Sequence, residues 1–316
     1  MTPEAQAPQG AERPPRLIYL LGAARSGSTI IGACLGRHPG ILAVGELAFM
    51  LAPDRGDPRV CSCGKLVPDC PLWGRVLAAW GSDAGSLRPD RYRRAQRNFE
   101  HVRNLPRLLR EILRPSREFS IYAEDSRRLV AVLGSVSGTR ILVDSSKHPV
   151  RALALRLAGV TDLTLIHIVR DPRAVVWSTI KIRREYPVGP RLLRSDFAVA
   201  LRACLDWIFL NLLSHAVARR IGGPTLRLRY EDFVQDPARE LVRLEPLLGV
   251  ELESVAAGLA NDAPIGYGHI VAGNRARRRG PRPLVLDTDW HARAPLWSRR
   301  LAWLACGPLA RRYAYR

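Results

Sequence analysis

The chain reads as short unbroken apolar runs separated by longer stretches of helical period. "LIYLL" at 17–21, "ILVD" within "RILVDSSKHP" at 140–149, "LTLIHIV" at 163–169 and the start of "TLRLRYEDF" at 225–233 are apolar runs of strand length. A further short run lies in "HPGILAVGELAF" at 38–49. Between them, "RALALRLAG" predicts a helix stopped by Gly159, and "RDPRAVVWSTIKIRR" one entered through Asp171 as N-cap and Pro172 at the first helical position. A long apolar helix is predicted over Asp196–Ile221, and "DPARELVRLEPLLGV" predicts another with Pro237 near its start. In "RYRRAQRNFEHVRNLPRLLREILR" at 91–114, Tyr92, Phe99, Val102, Leu109 and Leu113 recur at roughly helical spacing, and Pro106 is expected to kink or divide the stretch. Its other face is polar, as in a cap laid over a sheet. Strands alternating with helices predict an α/β fold: a parallel sheet flanked by helices on both faces, with a helical cap insertion over about 53–125. Positions 1–16 carry no apolar stretch and read as a disordered lead, leaving 17–316 as one domain.

Composition changes this picture little. Hydrophobic residues make up 47% and charged residues 25% of the 316, as in ordinary soluble proteins. The net charge of +20 raises nucleic acid, anionic membrane or a polyanionic ligand as partners. Only Lys65, Lys147 and Lys181 are lysines, so the charge reflects an arginine-preferring composition, and it is scattered rather than gathered into an arm. Nucleic acid is therefore discounted and a polyphosphorylated ligand kept. No run reaches the roughly 18 apolar residues needed to span a bilayer. A cytoplasmic protein with reduced thiols is expected. Cys61, Cys63 and Cys70 cluster in "CSCGKLVPDCPLW", but the spacing is not a standard four-ligand zinc pattern and no histidine lies nearby in sequence. A reduced, buried loop without metal is expected there.

The first chemistry-bearing stretch is "GAARSGST" at 22–29, between a predicted strand and a predicted helix. Gly22 and Gly27 allow a tight turn with inward N–H groups, and the helix beginning near Ser28 adds its positive end. Ser26, Ser28 and Thr29 supply hydroxyl donors, and Arg25 a guanidinium fork. The spacing matches a nucleotide hydrolase loop, yet Ser28 stands where the phosphate-binding lysine belongs. Asp144 could imitate the metal-holding acid of those enzymes, but without the lysine the loop suits a 5′-diphosphate-like group better than a triphosphate. In "IVRDPRAVVWS", Arg170 at a strand end and Ser178 eight positions later are placed for a second phosphate.

Together "RSGST" at 25–29 and "RDPRAVVWS" at 170–178 resemble the signature of sulfotransferases that use 3′-phosphoadenosine 5′-phosphosulfate (PAPS). The likeness extends through "RYEDFVQDP" at 229–237 to "GNRARRRG" at 273–280. It implies that Arg25, Ser26, Gly27, Ser28 and Thr29 hold the 5′ end of the donor, and that Arg170 and Ser178 hold the 3′-phosphate. Tyr230 would lie on the adenine side, with Arg278, Arg279 and Gly280 in a basic loop closing on the 3′-phosphate. Arginine at position 25 is more like the carbohydrate, tyrosyl-protein and bacterial branches than the small-molecule cytosolic one. A sulfuryl group bears less charge than a γ-phosphoryl group, so neither magnesium nor the missing lysine is required.

Sulfuryl transfer to a hydroxyl needs a base. Glu46 resembles the glutamate base of tyrosyl-protein-type and several bacterial members; His148, before Pro149, is the rival. Lys147 resembles a lysine that steadies charge on the leaving phosphate oxygen, a role expected to be shared with Arg25. Trp177, Trp207, Trp290 and Trp303 are expected in packing roles, and "LVLDTDWHARAPLW" at 284–297 to fold back across the cofactor loop. The C-terminal "LWSRRLAWLACGPLARRYAYR" could rest on an anionic membrane, but Gly307 and Pro308 are expected to break it into a short packing helix. The acceptor would be a glycan, glycolipid, natural product or tyrosine, small or lipid-linked. Two other readings stay open: a phosphate-loop small-molecule kinase or NTPase, and a non-enzymatic polyanion-binding protein.

Overall fold

The computed structural model describes residues 14–51, 59–81, 88–186, 195–261, 263–278 and 280–316. In chain order the elements are β1 (Arg16–Gly22), α1 (Ser28–Leu35), β2 (Ile41–Gly45), α2 (Trp73–Gly81), α3 (Arg88–Phe99), α4 (Leu105–Arg110) and α5 (Arg117–Ser137). There follow β3 (Ile141–Lys147), α6 (Pro149–Leu157), β4 (Leu163–Val169), α7 (Pro172–Glu185), α8 (Asp196–Ile221) and β5 (Thr225–Arg229). The chain closes with α9 (Tyr230–Gln235), α10 (Pro237–Leu248), α11 (Glu253–Ala260), α12 (Asp289–Arg293) and α13 (Leu296–Arg311).

Among the described residues five strands pair in parallel, in the order β2-β3-β1-β4-β5. β1 is apolar at every position from Leu17 to Leu21 because both its faces are covered. Strand alternation sends Leu17, Tyr19 and Leu21 into one core with α2, α3, α5 and α6, and Ile18 and Leu20 into another with α1, α10 and α11. A third cluster joins α7, α8 and α13. The chain leaves β1 for β2 on one side and later reaches β4 on the other, so the β1–α1 loop sits at the switch point where α/β sheets bind ligands.

Local signals place most boundaries. Asp171 accepts from the Arg173 amide and Pro172 opens α7. Ser195 caps α8, and Asp236 with Pro237 starts α10. Gly159 follows α6 at φ 84°, two residues beyond its last helical position. The structure moves three expectations. The sheet begins at Arg16, whose amide donates to Arg140 O, and Pro15 is buried, so the ordered fold starts slightly earlier than expected; residues 1–13 lie outside the described residues. The 91–114 stretch divides at His101, which is extended, rather than at Pro106, which sits in the first turn of α4 where no amide bond is needed. α13 runs unbroken through Gly307 and Pro308. Pro308 lies on its exposed side, so the hydrogen bond it forfeits is on the solvent face, while Ala302, Cys306 and Ala310 pack inward.

α8 is long and apolar enough to cross a membrane by length and composition, with a mean hydropathy of 1.6 over its most apolar window. That differs from the expectation that no such run exists. Ala200, Cys204, Trp207 and Val217 of α8 are nonetheless buried in this fold, with α8 packed on α6, α7 and α13.

Candidate functional site

Loop geometry at the end of β1 explains its glycines. Gly27 has φ 90°, and a Cβ there would stand 2.2 Å from the Tyr230 ring; one on Gly22 would stand 2.3 Å from Ile168 O. Arg25 adopts φ 68°, a left-handed conformation that a non-glycine residue holds only when its surroundings compel it. Its Nε donates to Ser178 Oγ at 2.9 Å, reaching from the loop to the second turn of α7. Among the described residues no side chain caps α1, whose first turn carries the buried Ser28 and Thr29. The helix start is therefore suited to an anion.

The second predicted cradle joins the first. Arg170, just beyond β4, donates to Arg25 O at 3.1 Å and to Asp287 Oδ2 at 2.9 Å, and its guanidinium lies 4.5 Å from the Tyr230 ring centroid. Trp207 Nε1 donates to Arg170 O and fixes the backbone behind it. Burial and the neighbouring Arg170 charge hold the Arg25 pKa below its usual value. Two confined cations that repel each other are what an anion would stabilise. Ser26 Oγ and Arg170 Nε are buried without a hydrogen-bond partner among the described residues. These donors fit a doubly phosphorylated group at this site.

Glu46 and Lys147 arrive from the ends of β2 and β3. Lys147, at φ 70°, donates to Glu46 Oε1 and, at 3.2 Å, to Ser145 O. The Glu46 turn is held from below: Asp144 Oδ1 accepts from the Ser146 amide at 2.9 Å and the Leu47 amide at 3.4 Å, and Ser146 Oγ accepts from Ala48 N. Asp144 Oδ2 accepts from Arg151, which also pairs with Glu100. That set of partners corrects the thought that Asp144 imitates a metal-holding acid, since its oxygens are engaged in buttressing the turn. His148 follows Lys147, with its carbonyl bound by Tyr19 OH. Burial, then Lys147 and Arg151, lower the His148 pKa to about 4, so the imidazole is neutral at pH 7.

Arg25, Gly27, Ser28, Thr29, Glu46, Lys147, His148, Arg170, Ser178 and Tyr230 all line one cleft of about 970 Å³. Ser26 lies behind it. Arg278 and Gly280 are exposed and do not line it, and Arg279 lies outside the described residues. Arg282 lines the cleft instead, held by paired backbone hydrogen bonds to Ile265. The run of basic residues hides which one turns inward. Sequence reasoning also missed Asp287, Phe49, Asn274 and Lys181. Lys181, paired with Asp289, could have been found as one of only three lysines. The 284–297 stretch folds back onto the cleft beside the β4–α7 turn, through Asp287 on Arg170 and Asp289 on Trp177. Trp177, Trp207 and Trp290 are buried, and Trp303 carries the Arg173 and Arg311 guanidinium groups on its ring.

A second cavity of about 620 Å³ shares Phe49 and His148 with the first and opens between the end of α3 and α8. Beside the end of β2, where Val271 bridges to Gly45 and to Cys61, the fold brings His269 to Cys61 and Cys70. The expectation of no metal rested on the cysteine spacing and on the lack of a histidine nearby in sequence, and the tertiary structure supplies a histidine.

The profile of the sulfotransferase family matches residues 15–254. Among solved structures, the sulfotransferase domain from the Synechococcus PCC 7002 olefin synthase superposes with a TM-score of 0.53 at 20% identity, covering 99% of both chains. The sulfotransferase domain from the curacin biosynthetic pathway gives 0.52 at 17% identity, covering 95% of this chain and 99% of that one. Such likenesses establish the fold. Among curated proteins, no sequence matches.

Proposed function

The chain belongs to the sulfotransferase family, and from that premise we propose that it binds PAPS in the large cleft and transfers its sulfuryl group to an acceptor hydroxyl by in-line displacement. The observation that carries this reading is the direct linkage of the two anion cradles, Arg25 to Ser178 and Arg170 to Arg25 O, beside the Glu46–Lys147 pair. Bound, PAPS supplies an activated sulfuryl group on a phosphate leaving group. Loop amides 25–29 and the hydroxyls of Ser28 and Thr29 hold the 5′ end. Arg170, Ser178 and Arg282 hold the 3′-phosphate, with Tyr230 against the nucleoside.

Glu46 takes the acceptor proton, and Lys147 and Arg25 stabilise charge on the leaving oxygen. Lys147 already pairs with Glu46, so it holds the carboxylate in orientation until the acceptor arrives. A neutral His148 of low basicity is the poorer proton acceptor and is assigned to shaping the acceptor side.

The acceptor enters through the second cavity, and the 53–125 insertion contributes its wall through Arg93, Arg97 and Arg103. Phe49, Phe209 and Leu210 make part of that wall apolar. An amphipathic hydroxyl compound fits better than a plain polar sugar.

Thermal shift tests the donor site. Adenosine 3′,5′-bisphosphate should stabilise the protein without metal, and more than ADP. At ligand concentrations about 100-fold above Kd the gain is about 2.7 kcal/mol. Preference for ATP with magnesium would return the kinase reading, and stabilisation by any polyanion with a steep salt dependence would return the non-enzymatic one.

A further inference from the structure

Three cysteines and a histidine gather outside the cleft. One ligand atom from each of Cys61, Cys63, Cys70 and His269 falls within 4.8 Å of the others. Cys63 Sγ lies 3.7 Å from Cys70 Sγ, and His269 Nδ1 lies 3.2 Å from Cys70 Sγ and 3.8 Å from Cys61 Sγ. A tetrahedron with Zn–S bonds of about 2.3 Å and Zn–N bonds of about 2.0 Å sets its ligand atoms roughly 3.5–3.8 Å apart. The cluster is already close to those dimensions.

Local structure builds this arrangement. Gly64, at φ 87°, donates to Cys61 O, and Cys61 N donates to Lys65 O, so one tight turn presents Cys61 and Cys63 together. Cys70 sits in the turn leading into α2, where Gly74 N bonds its carbonyl. His269 is brought in by the residues flanking the cysteines: Ser62 Oγ donates to Gly268 O at 2.8 Å, Ser62 N to Ile270 O at 3.0 Å, and Trp73 Nε1 to His269 O at 2.7 Å. Cys61 and Cys70 are buried, and none of the six cysteines is in a disulfide.

We propose that Cys61, Cys63, Cys70 and His269 bind one zinc ion as a closed structural site. Three thiolates and an imidazole in tetrahedral array select zinc over hard cations, and four protein ligands leave no open position for chemistry. The three thiol protons leave as the metal binds. The ion locks the 59–73 segment to the 267–274 segment, whose other contacts reach the cleft. Val271 O accepts from Glu46 N at 2.9 Å, and Asn274 N donates to Thr29 Oγ1 at 3.2 Å. The metal would thereby hold the wall beside Glu46 in place from outside the reaction site.

The test uses the full chain purified under reducing conditions without chelator. Elemental analysis should find about one zinc per chain, and cobalt exchange should give thiolate charge-transfer and tetrahedral d–d absorption. Cys63→Ser, at an exposed position, and His269→Gln should each lower zinc retention at least tenfold under chelator challenge. Chelation of wild type should lower Tm and weaken adenosine 3′,5′-bisphosphate binding. The proposal falls if the folded, reduced protein carries no metal and takes up neither zinc nor cobalt. It also falls if the cysteines are recovered as a Cys63–Cys70 disulfide, or if both variants keep full zinc. Because metal content is read directly, a failed donor assay would leave this result standing, and the reverse holds too.

Discussion

Glu46 and Lys147 share one hydrogen bond, and the chemistry assigned to them differs enough to be separated by substitution. Glu46→Gln keeps the shape and a hydrogen-bonding side chain but removes the base, so turnover should fall by about 100-fold or more. Adenosine 3′,5′-bisphosphate affinity should stay within about twofold, read by calorimetry alongside single-turnover rates, since a uniform-binding role would move affinity instead. His148→Ala should cost much less. A larger loss there with folding intact would transfer the role to His148. Asp287 offers a third residue-scale handle, because its carboxylate engages Arg170 NH2, a group assigned to the 3′-phosphate. Asp287→Asn should tighten bisphosphate binding, whereas an unchanged or weaker Kd would mean that Asp287 positions Arg170 rather than competing for it.

At the scale of elements, the turn between β4 and α7 depends on α9 and the chain end. Glu231 Oε1 accepts from the buried Asp171 amide at 2.9 Å, and Oε2 accepts from Tyr315 OH at 2.6 Å. Tyr315 also reaches Val169 O. Glu231→Ala would orphan that amide, which costs about 1–3 kcal/mol. Urea unfolding should show the loss as a lower midpoint with unchanged slope, and bisphosphate binding should weaken because Arg170 borders the same turn. The boundaries of these elements were largely legible in sequence. Asp171-Pro172 and Asp236-Pro237 specify helix starts with their own side chains, so no distant contact is needed to place them. Pro308 misled because its helix-breaking tendency is local, whereas its tolerance depends on which face of α13 turns to solvent.

For the molecule as a whole, burial of neutral histidines links stability to pH. His167 is held to a pKa of about 4 by burial, partly offset by its hydrogen bond to Asn211. The unfolded imidazole, near its ordinary 6.5, takes up a proton first as pH falls. His167 therefore contributes stability in full above about pH 6.5 and loses it progressively as pH drops toward 4. Burial raises the Glu100 and Glu231 pKa values, which acts with the opposite sign, so the comparison must be differential. Wild type should lose more unfolding free energy than His167→Gln between pH 6.5 and 4.5 in parallel urea titrations. Parallel slopes would mean that His167 is protonated in the folded state.

The sequence by itself determined the α/β class and the two stretches read as anion cradles. Each cradle is written in contiguous residues whose backbone freedom, hydroxyls and charge act over one turn: Gly27 beneath Tyr230 admits no side chain, and Arg170 stands at a strand end wherever that strand lies. Only the tertiary structure decided that the cradles share one cleft, that Lys147 meets Glu46 from 101 residues away, that Arg282 rather than Arg278 lines that cleft, and that His269 lies with the cysteine cluster. All of these depend on the strand order β2-β3-β1-β4-β5 and on loops crossing its carboxyl edge. Short unbroken apolar runs specify that strands form and are buried, but many strand orders bury them equally well, so contacts between distant residues are fixed only by the packed fold.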